Sequence, residues 1–492
     1  MLLQDKSNRL VPYLLACVCL LAMLSVFLVN TAPLFYFDTF TYFEQGTSIL
    51  KMIVPDTWLI ELLPAPDAVG SGTAGGAGSG VETVNGSRSA LFALVLAIFF
   101  QTHLLWAFPF LAALYIAATL WLLIRVAARQ MDHARPNWVL ICLPLLASSV
   151  GSLPFYISYL MPDILAPGLI VIAATLFAFG PQMRRAEIVG AAVLGLIAVL
   201  SHPSHLLIAG VLFGVFGLAA LTTRRRGRWI VVLVLAVLVT LGGTERLLFR
   251  SAVKNIAKSE VTYFPFLTAR MIADGPGLRY LERHCPDPAI TTCILFAALS
   301  KSDDPMRLTA THIVFELTPR LGSFRLMSQD DQKRVVEDQL NFVAAAVLDD
   351  PLGVVGGLLK NTVAQARLDS IQMTIPQPQQ IAVAAARFPQ AGLFEGRLIL
   401  DQGWIPAVER FHHVINLVSL AIVLTLLVWP DRVATQIKLL ALAILLGILA
   451  NAFVCGAVSQ PADRYGARVI WLLPMLASLL ILFAWPRSRT QR

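Results

Sequence analysis

The sequence predicts an all-α membrane protein, a polytopic bundle of about ten transmembrane helices with a mostly helical extracytoplasmic domain. Three observations predict it. The 492 residues are 57% hydrophobic and 14% charged, with a mean hydropathy of +0.72, whereas soluble domains carry about 25% charged residues. The apolar residues gather in runs near the ~20 residues that a spanning helix needs. Lys and Arg cluster at alternate ends of those runs, as they do when cytoplasmic loops are basic.

The runs that read as spans are about 11–31, 105–127, 138–154, 163–180, 187–201, 205–222, 229–247, 412–429, 437–457 and 468–485. The first has no small-residue cleavage site and reads as a retained signal anchor. An even number of spans puts both termini on one side. Lys6, Arg9, Arg125, Arg129, Arg135, Arg184, Arg185, the Arg224–Arg228 cluster, Arg432, Lys438 and the C-terminal arginines fall on that side. The short opposite loops hold only Lys51, Arg88, Arg464 and Arg468. The termini are therefore expected in the cytoplasm of a bacterial-type inner membrane. The formal charge of +8 is accounted for by these loops and implies no nucleic-acid partner.

Three regions follow. Residues 1–247 form an N-terminal bundle with a first extracytoplasmic loop at 32–104. Residues 248–411 form an extracytoplasmic domain, and 412–492 form the C-terminal spans. Within the first loop, 69–80 (VGSGTAGGAGSG) is low-complexity and flexible. The run ALFALVLAIFF that ends at Phe100 is too short to cross. It reads as a helix at the interface or packed on the bundle, with a shallow re-entrant segment as the rival. In the 248–411 domain, Ser328 with Asp331 three residues on marks a helix start. Val335, Val336, Leu340, Val343 and Ala344 then recur at helical spacing. Asp274-Gly-Pro-Gly277 is a turn.

Cys17, Cys19, Cys142 and Cys455 lie in apolar runs and read as small core residues. Cys285 and Cys293 lie in the long polar region, where a disulfide closing a short loop and two free thiols are both open. No zinc-ligand spacing, P-loop, dinucleotide fingerprint or nucleophile elbow is present. No cofactor is expected and no metal site is read, with a divalent metal left open but unsupported by any motif.

The candidate functional residues stand at the cation-poor face. Asp38, Tyr42 and Glu44 follow the first span, and Asp163 precedes the fourth. His202 and His205 form a turn after the fifth, and Asp463, Arg464, Tyr465 and Arg468 enter the last. Ionisable groups at a membrane edge are costly and commonly functional. A carboxylate such as Asp38 among aromatics suits general-base work, its pKa raised by desolvation or lowered by a nearby cation. Each residue also has a plainer reading: aromatic belt, helix punctuation, polar turn, or an Asp–Arg pair that positions a helix. Arg270, Arg279, Arg283 and Arg325 could line an acceptor site, but a solvated face accounts for them.

Asp38 with Tyr42, the apolar run ending at Phe100, Met161-Pro162-Asp163 and Asp463-Arg464-Tyr465 together resemble the GT-C superfamily of polytopic glycosyltransferases. That family includes the protein O-mannosyltransferases and the aminoarabinose transferases of lipid A. The resemblance covers roughly 1–247 and 410–485. Many members carry two adjacent acids in the first loop; here Thr39 follows Asp38, and Glu44 is the candidate second acid. The resemblance implies an inverting transfer of a sugar from a polyprenyl-phosphate donor to a glycan, lipid or protein acceptor outside the cytoplasm. Asp38 would be the base, and Arg464, with His202 or His205, would stabilise the leaving phosphate. Tyr42 and Tyr465 would shape the pocket, and Asp163, Asp463 and Arg468 would complete the substrate site. A transporter or flippase, a glycan polymerase or ligase, and an envelope assembly factor are the alternatives.

Overall fold

Long apolar runs in this chain form helices, because a helix satisfies every backbone group internally where lipid offers no partner. The computed structural model describes residues 2–60, 62, 83–86, 88–132, 136–223, 226–255 and 260–484. The glycine-rich stretch 69–80, Arg135, Arg224, Arg225 and the C-terminal arginines lie outside the described residues. Seven described helices are long and apolar enough to cross a bilayer: Leu105–Gln130, Pro162–Gln182, Pro203–Thr223, Trp229–Asn255, Ile405–Val428, Thr435–Ser459 and Asp463–Ala484. The chain is a multi-pass membrane protein.

The sequence reading had three more spans. Those runs are helical but short or interrupted. Leu2–Met23 breaks at Leu24 before Ser25–Asn30. The run at 138–154 divides into Asn137–Ser149 and Leu153–Ser158, with Pro154 in the first turn of the second piece; proline lacks the N–H that would carry the first helix onward. Arg185–Ser201 has 17 residues. Two helices overrun the expected boundaries. Trp229–Asn255 continues past residue 247, and Ile405–Val428 begins before residue 412.

Two apolar cores are present. The larger runs through the bundle and also takes in Ile371, Ile375, Phe388, Leu393, Ile399 and Ile405. The smaller is built from Met271, Ile272, Leu281, Leu295, Ile313, Phe324, Val335, Phe342 and their neighbours. The last part of the 248–411 segment is thus packed into the bundle, and the earlier part has a core of its own. In that part Cys285 and Cys293 form a disulfide. Ser328 caps Gln329–Glu337 by accepting from the Asp331 N–H. A second helix, Gln339–Asp349, starts at once, which turns Leu340 outward to 70% exposure instead of onto the expected apolar face. A short parallel ladder, Thr83–Asn85 with Glu260–Thr262, ties the first loop to the chain after Trp229–Asn255.

The loop run is the helix Ala90–Gln101, capped by Ser89, whose Oγ accepts from the Phe92 N–H. It packs on Phe37–Leu50, burying Phe92, Ala93, Leu96, Ala97 and Phe100. Phe43 and Phe100 stack at 4.7 Å. The two helices meet at backbone distance: a Cβ on Gly46 would stand 2.0 Å from the Ala93 carbonyl oxygen. This pair carries Asp38 near one start and Arg88 just before the other. Gly46→Ala is therefore expected to push the helices apart. A lowered Tm would follow; an unchanged Tm would refute the close-packing account.

Candidate active site at the membrane edge

The site is assembled by backbone ties between segments distant in sequence. The Leu34 N–H donates to the Ser158 carbonyl at 2.7 Å, and the Leu160 N–H returns to the Leu34 carbonyl at 2.8 Å. Thr39 Oγ1 accepts from the Tyr36 N–H at 3.0 Å and donates to the Leu160 carbonyl at 3.3 Å. These bonds set the start of Phe37–Leu50 beside the turn at 161–163. Thr39, the residue after Asp38, thus fastens the backbone.

The helix Asp463–Ile470 is pinned in the same way. Tyr156 Oη donates to the Arg464 carbonyl at 2.6 Å, Ser152 Oγ to the Ala467 carbonyl at 2.6 Å, and Asn451 Nδ2 to the Tyr465 carbonyl at 2.7 Å. Gln365 holds both backbone groups of Ala462 at 2.9 Å. The wide π-helical turn Phe453–Ser459 precedes this helix; such turns are frequent at functional sites.

Charges then alternate across the site. Arg88 donates to Asp38 Oδ1 at 2.8 Å, and Arg464 donates to Asp38 Oδ2 at 3.0 Å. Arg464 Nε lies 3.4 Å from Asp163 Oδ1, and Arg468 donates to the same oxygen at 3.2 Å. Arg468 ends on Asn451 Oδ1, at 3.0 and 2.8 Å, and on Ser204 Oγ at 3.3 Å. Three guanidiniums thus share two carboxylates, and the ladder carries one net positive charge. Aromatic faces cover the cations. Arg464 lies 5.0 Å from the Tyr36 and Tyr465 rings, Arg468 lies 5.2 Å from Tyr465, and Arg88 lies 5.3 Å from Tyr42, all within cation–π range. Exposure falls from 23% at Asp38 to 0% at Arg468, so the ladder is reached from the Asp38 and Arg88 end.

The protonation states follow from this packing. Burial pushes the Asp38 carboxyl up, but the Arg88 and Arg464 guanidiniums outweigh it and hold the group well below the usual carboxylate range. Of the two effects foreseen from sequence, the cations win. Burial raises the Tyr42 hydroxyl. Burial, then His205 and Arg468, hold the His202 imidazole well below its ordinary value, so it is neutral and binds by hydrogen bonding alone. Its Nδ1 pairs with Ser204 Oγ at 2.7 Å. His205 Nδ1 lies 2.8 Å from the Ala198 carbonyl; a carbonyl only accepts, so this nitrogen carries the proton. Tyr42 Oη, Arg88 Nε, Asp163 Oδ2 and His205 Nε2 are buried with no hydrogen-bond partner among the described residues. Unpaired buried polar atoms cost about 1–3 kcal/mol each, and four around one ladder mark a place suited to a polar ligand.

The structure brings Asp38, Asp163, Arg464 and Arg468 into direct contact, sets Tyr42 and Tyr465 on their cations, and joins His202 through Ser204. It does not bring in Glu44 or Asp463. Glu44 pairs with Arg387 at 2.7 Å, at the end of Pro378–Arg387. Burial, opposed by Arg387 and Arg88, raises its pKa to about 7. Asp463 accepts from the Ser370 N–H at 3.4 Å and faces a separate polar group where Ser370 also bonds Glu409. Arg88, Tyr36, Ser204, Asn451 and Arg387 were missed from sequence. Arg88 was legible as an arginine on the cation-poor side, and Asn451 as a lone amide in an apolar run. Of the four domain arginines, buried Arg270 pairs with Asp274, Arg279 and Arg283 pair with Asp350 and Asp349, and Arg325 covers Phe264; they do not converge on one site. Two clefts lie elsewhere, one among Arg125, Arg129 and Arg184 and one among Phe100, Trp106 and Leu393. No group of three His, Cys, Asp or Glu is arranged for a metal among the described residues.

Breaking a buried ion pair from one side costs about 3–5 kcal/mol. Asp163→Asn and Arg468→Met are each expected to lower unfolding stability by about that much. The double variant should cost less than the sum by about 1–3 kcal/mol; strict additivity in a detergent unfolding cycle would show that the pair is not coupled. For Glu44 the folded-state pKa lies above the ordinary 4.5, so the protonated form favours the fold. That stability is fully present below pH 4.5 and is lost as pH rises toward 7. Glu44→Gln should flatten the fall of Tm over this window relative to wild type, and parallel curves would contradict it.

No protein-family model and no curated protein matches the sequence. Among solved structures, the crystal structure of ArnT from Cupriavidus metallidurans bound to undecaprenyl phosphate aligns over 96% of this chain and 77% of that chain. The identity is 13% and the TM-score 0.33, a likeness too weak to bear on what this chain does.

Proposed function

We propose that this protein is a membrane glycosyltransferase that moves a sugar from a polyprenyl-phosphate donor to an acceptor hydroxyl at the extracytoplasmic edge of the bilayer. The observation that carries the reading is the ladder Arg88–Asp38–Arg464–Asp163–Arg468. It has one cation in excess, stands at helix ends and opens at Arg88 and Asp38. Arginine forks match phosphate oxygens, and a lipid-borne phosphate presents those oxygens at that depth. The basic loops at the other helix ends support cytoplasmic termini.

The chemistry follows from competition within the ladder. With no donor bound, Arg88 and Arg464 stabilise the Asp38 carboxylate and make it a weak base. A donor phosphate that takes hydrogen bonds from the same guanidiniums loosens that hold, and Asp38 becomes more basic. Asp38 then accepts the acceptor's hydroxyl proton as the oxygen attacks the anomeric carbon. The anomeric C–O bond breaks, its electron pair leaves with the phosphate, and the configuration inverts. Arg464 and Arg88 stabilise the charge that develops on the leaving phosphate. Asp163 and Arg468 fix Arg464 from behind. A polymerase or ligase acting on lipid-linked glycans would use the same site with a different acceptor. A transporter would need a polar path across the bilayer, whereas the ladder stands at one edge.

The test is donor turnover. Purified protein in lipid is given a panel of polyprenyl-phosphate sugars with membrane extract, and free polyprenyl phosphate is followed by mass spectrometry. Wild type is expected to release it. Arg464→Ala should lose about 10²–10³-fold, the range for one charge-stabilising donor, and Asp38→Asn about 10²–10⁴-fold, the range for a general base. No release and no donor binding across the panel would overturn the proposal.

A further inference from the structure

The helices Gln339–Asp349 and Pro351–Ala366 meet at 108°, within the segment that composition marks as water-exposed. Their amphipathic pattern is inverted. On Pro351–Ala366 the inward face is largely polar, with Asn361 and Gln365 buried beside Val354. The outward face is apolar: Leu352 is 84% exposed, Leu359 61%, Val355 51% and Val363 50%, continuing from Leu348 at 84%. Within Pro351–Ala366 the four are spaced 3, 4 and 4 residues apart and form one stripe, with Leu348 just across the bend. Lys360 is the only charged residue in the helix. Soluble proteins bury such stripes and rarely expose them.

Both buried amides are hydrogen-bonded, so the inversion is not a misplaced face. Asn361 Nδ2 donates to both oxygens of Asp274, at 2.9 and 2.8 Å. Gln365 holds Ala462 with two bonds. The spanning helix beside it also presents an apolar outer face. Thr435–Ala452 buries Asn451 and exposes Leu442, Leu446 and Leu449. Pro351–Ala366 packs directly on the continuation of that span at 453–459, where a Cβ on Gly456 would stand 2.6 Å from the Asn361 carbonyl oxygen. It therefore lies against the Asp38-side end of a membrane span.

We propose that this corner is seated in the lipid leaflet on the Asp38 side, with Leu348, Leu352, Val355, Leu359 and Val363 against acyl chains. Sixteen residues rise about 24 Å, short of the ~30 Å hydrocarbon core, and the 108° bend prevents the pair from crossing. The corner enters and leaves on one side. Asp349 and Asp350 at the bend are held by Arg283 and Arg279, so the charges at the turn are paired within the protein. Through Gln365 and Ala462 the same helix sets the start of Asp463–Ile470, and with it Arg464. The element thereby fixes the ladder relative to the bilayer surface. This inference rests on membrane placement and stands whether or not the chain transfers sugars.

The experiment is collision accessibility of nitroxide labels in the full chain, reconstituted in bilayers. Leu348→Cys, Leu352→Cys and Leu359→Cys are each made with Cys17→Ser, since Cys17 is exposed. Lys301→Cys, at an exposed position of the same segment, is the water reference. Oxygen, which concentrates in lipid, should relax the three labels more than a nickel chelate does, and the order should reverse at residue 301. A chelate response at 348, 352 and 359 equal to that at 301 overturns the proposal. So does immobilisation of all three labels with neither reagent effective, which would mean that a protein partner covers the stripe.

Discussion

Everything around the candidate site depends on keeping five formal charges stable at a membrane edge. An isolated charge there is costly, and the chain solves this by alternation: Arg88, Asp38, Arg464, Asp163 and Arg468 each contact an opposite charge. Alternation leaves one positive charge unmatched within the ladder. That surplus is the electrostatic reason for reading the site as an anion site. It is also why removing a single member should cost more than the energy of one contact.

The scaffold's other features serve that ladder. The close approach of Phe37–Leu50 and Ala90–Gln101 at Gly46 brings Asp38 and Arg88 together. The ties from Leu34 and Thr39 to 158–160 bring Asp38 toward Asp163. The bonds from Tyr156, Ser152, Asn451 and Gln365 to the backbone of 462–467 fix Arg464 and Arg468. Gly466 allows this last helix to reach the Leu368 carbonyl, which a Cβ would meet at 1.6 Å. Rigid placement matters because charges held in place stabilise an anion without having to reorganise.

The two acids of the first loop have separate environments and separate chemistry. Asp38, between two guanidiniums, stays ionised and weakly basic until something competes for its partners. Glu44, behind Arg387 and largely buried, titrates near neutral pH. The two are divided because six residues of helix turn them to different faces.

The sequence by itself determined the membrane class and most of the ladder's members, because apolar run length and misplaced charges are visible one residue at a time. Asp38, Asp163, Arg464 and Arg468 were all legible as charges where charges are expensive. Tertiary structure alone decided their pairing, since a partner 305 or 426 residues away leaves no local signal. It also decided that Glu44 and Asp463 stand apart, that Arg88 and Asn451 join, and that three of the apolar runs are short or broken. The face of Pro351–Ala366 was hidden for the same reason. Its spacing announces an apolar stripe, but only the packing of Asn361 and Gln365 shows which side of the helix the protein keeps.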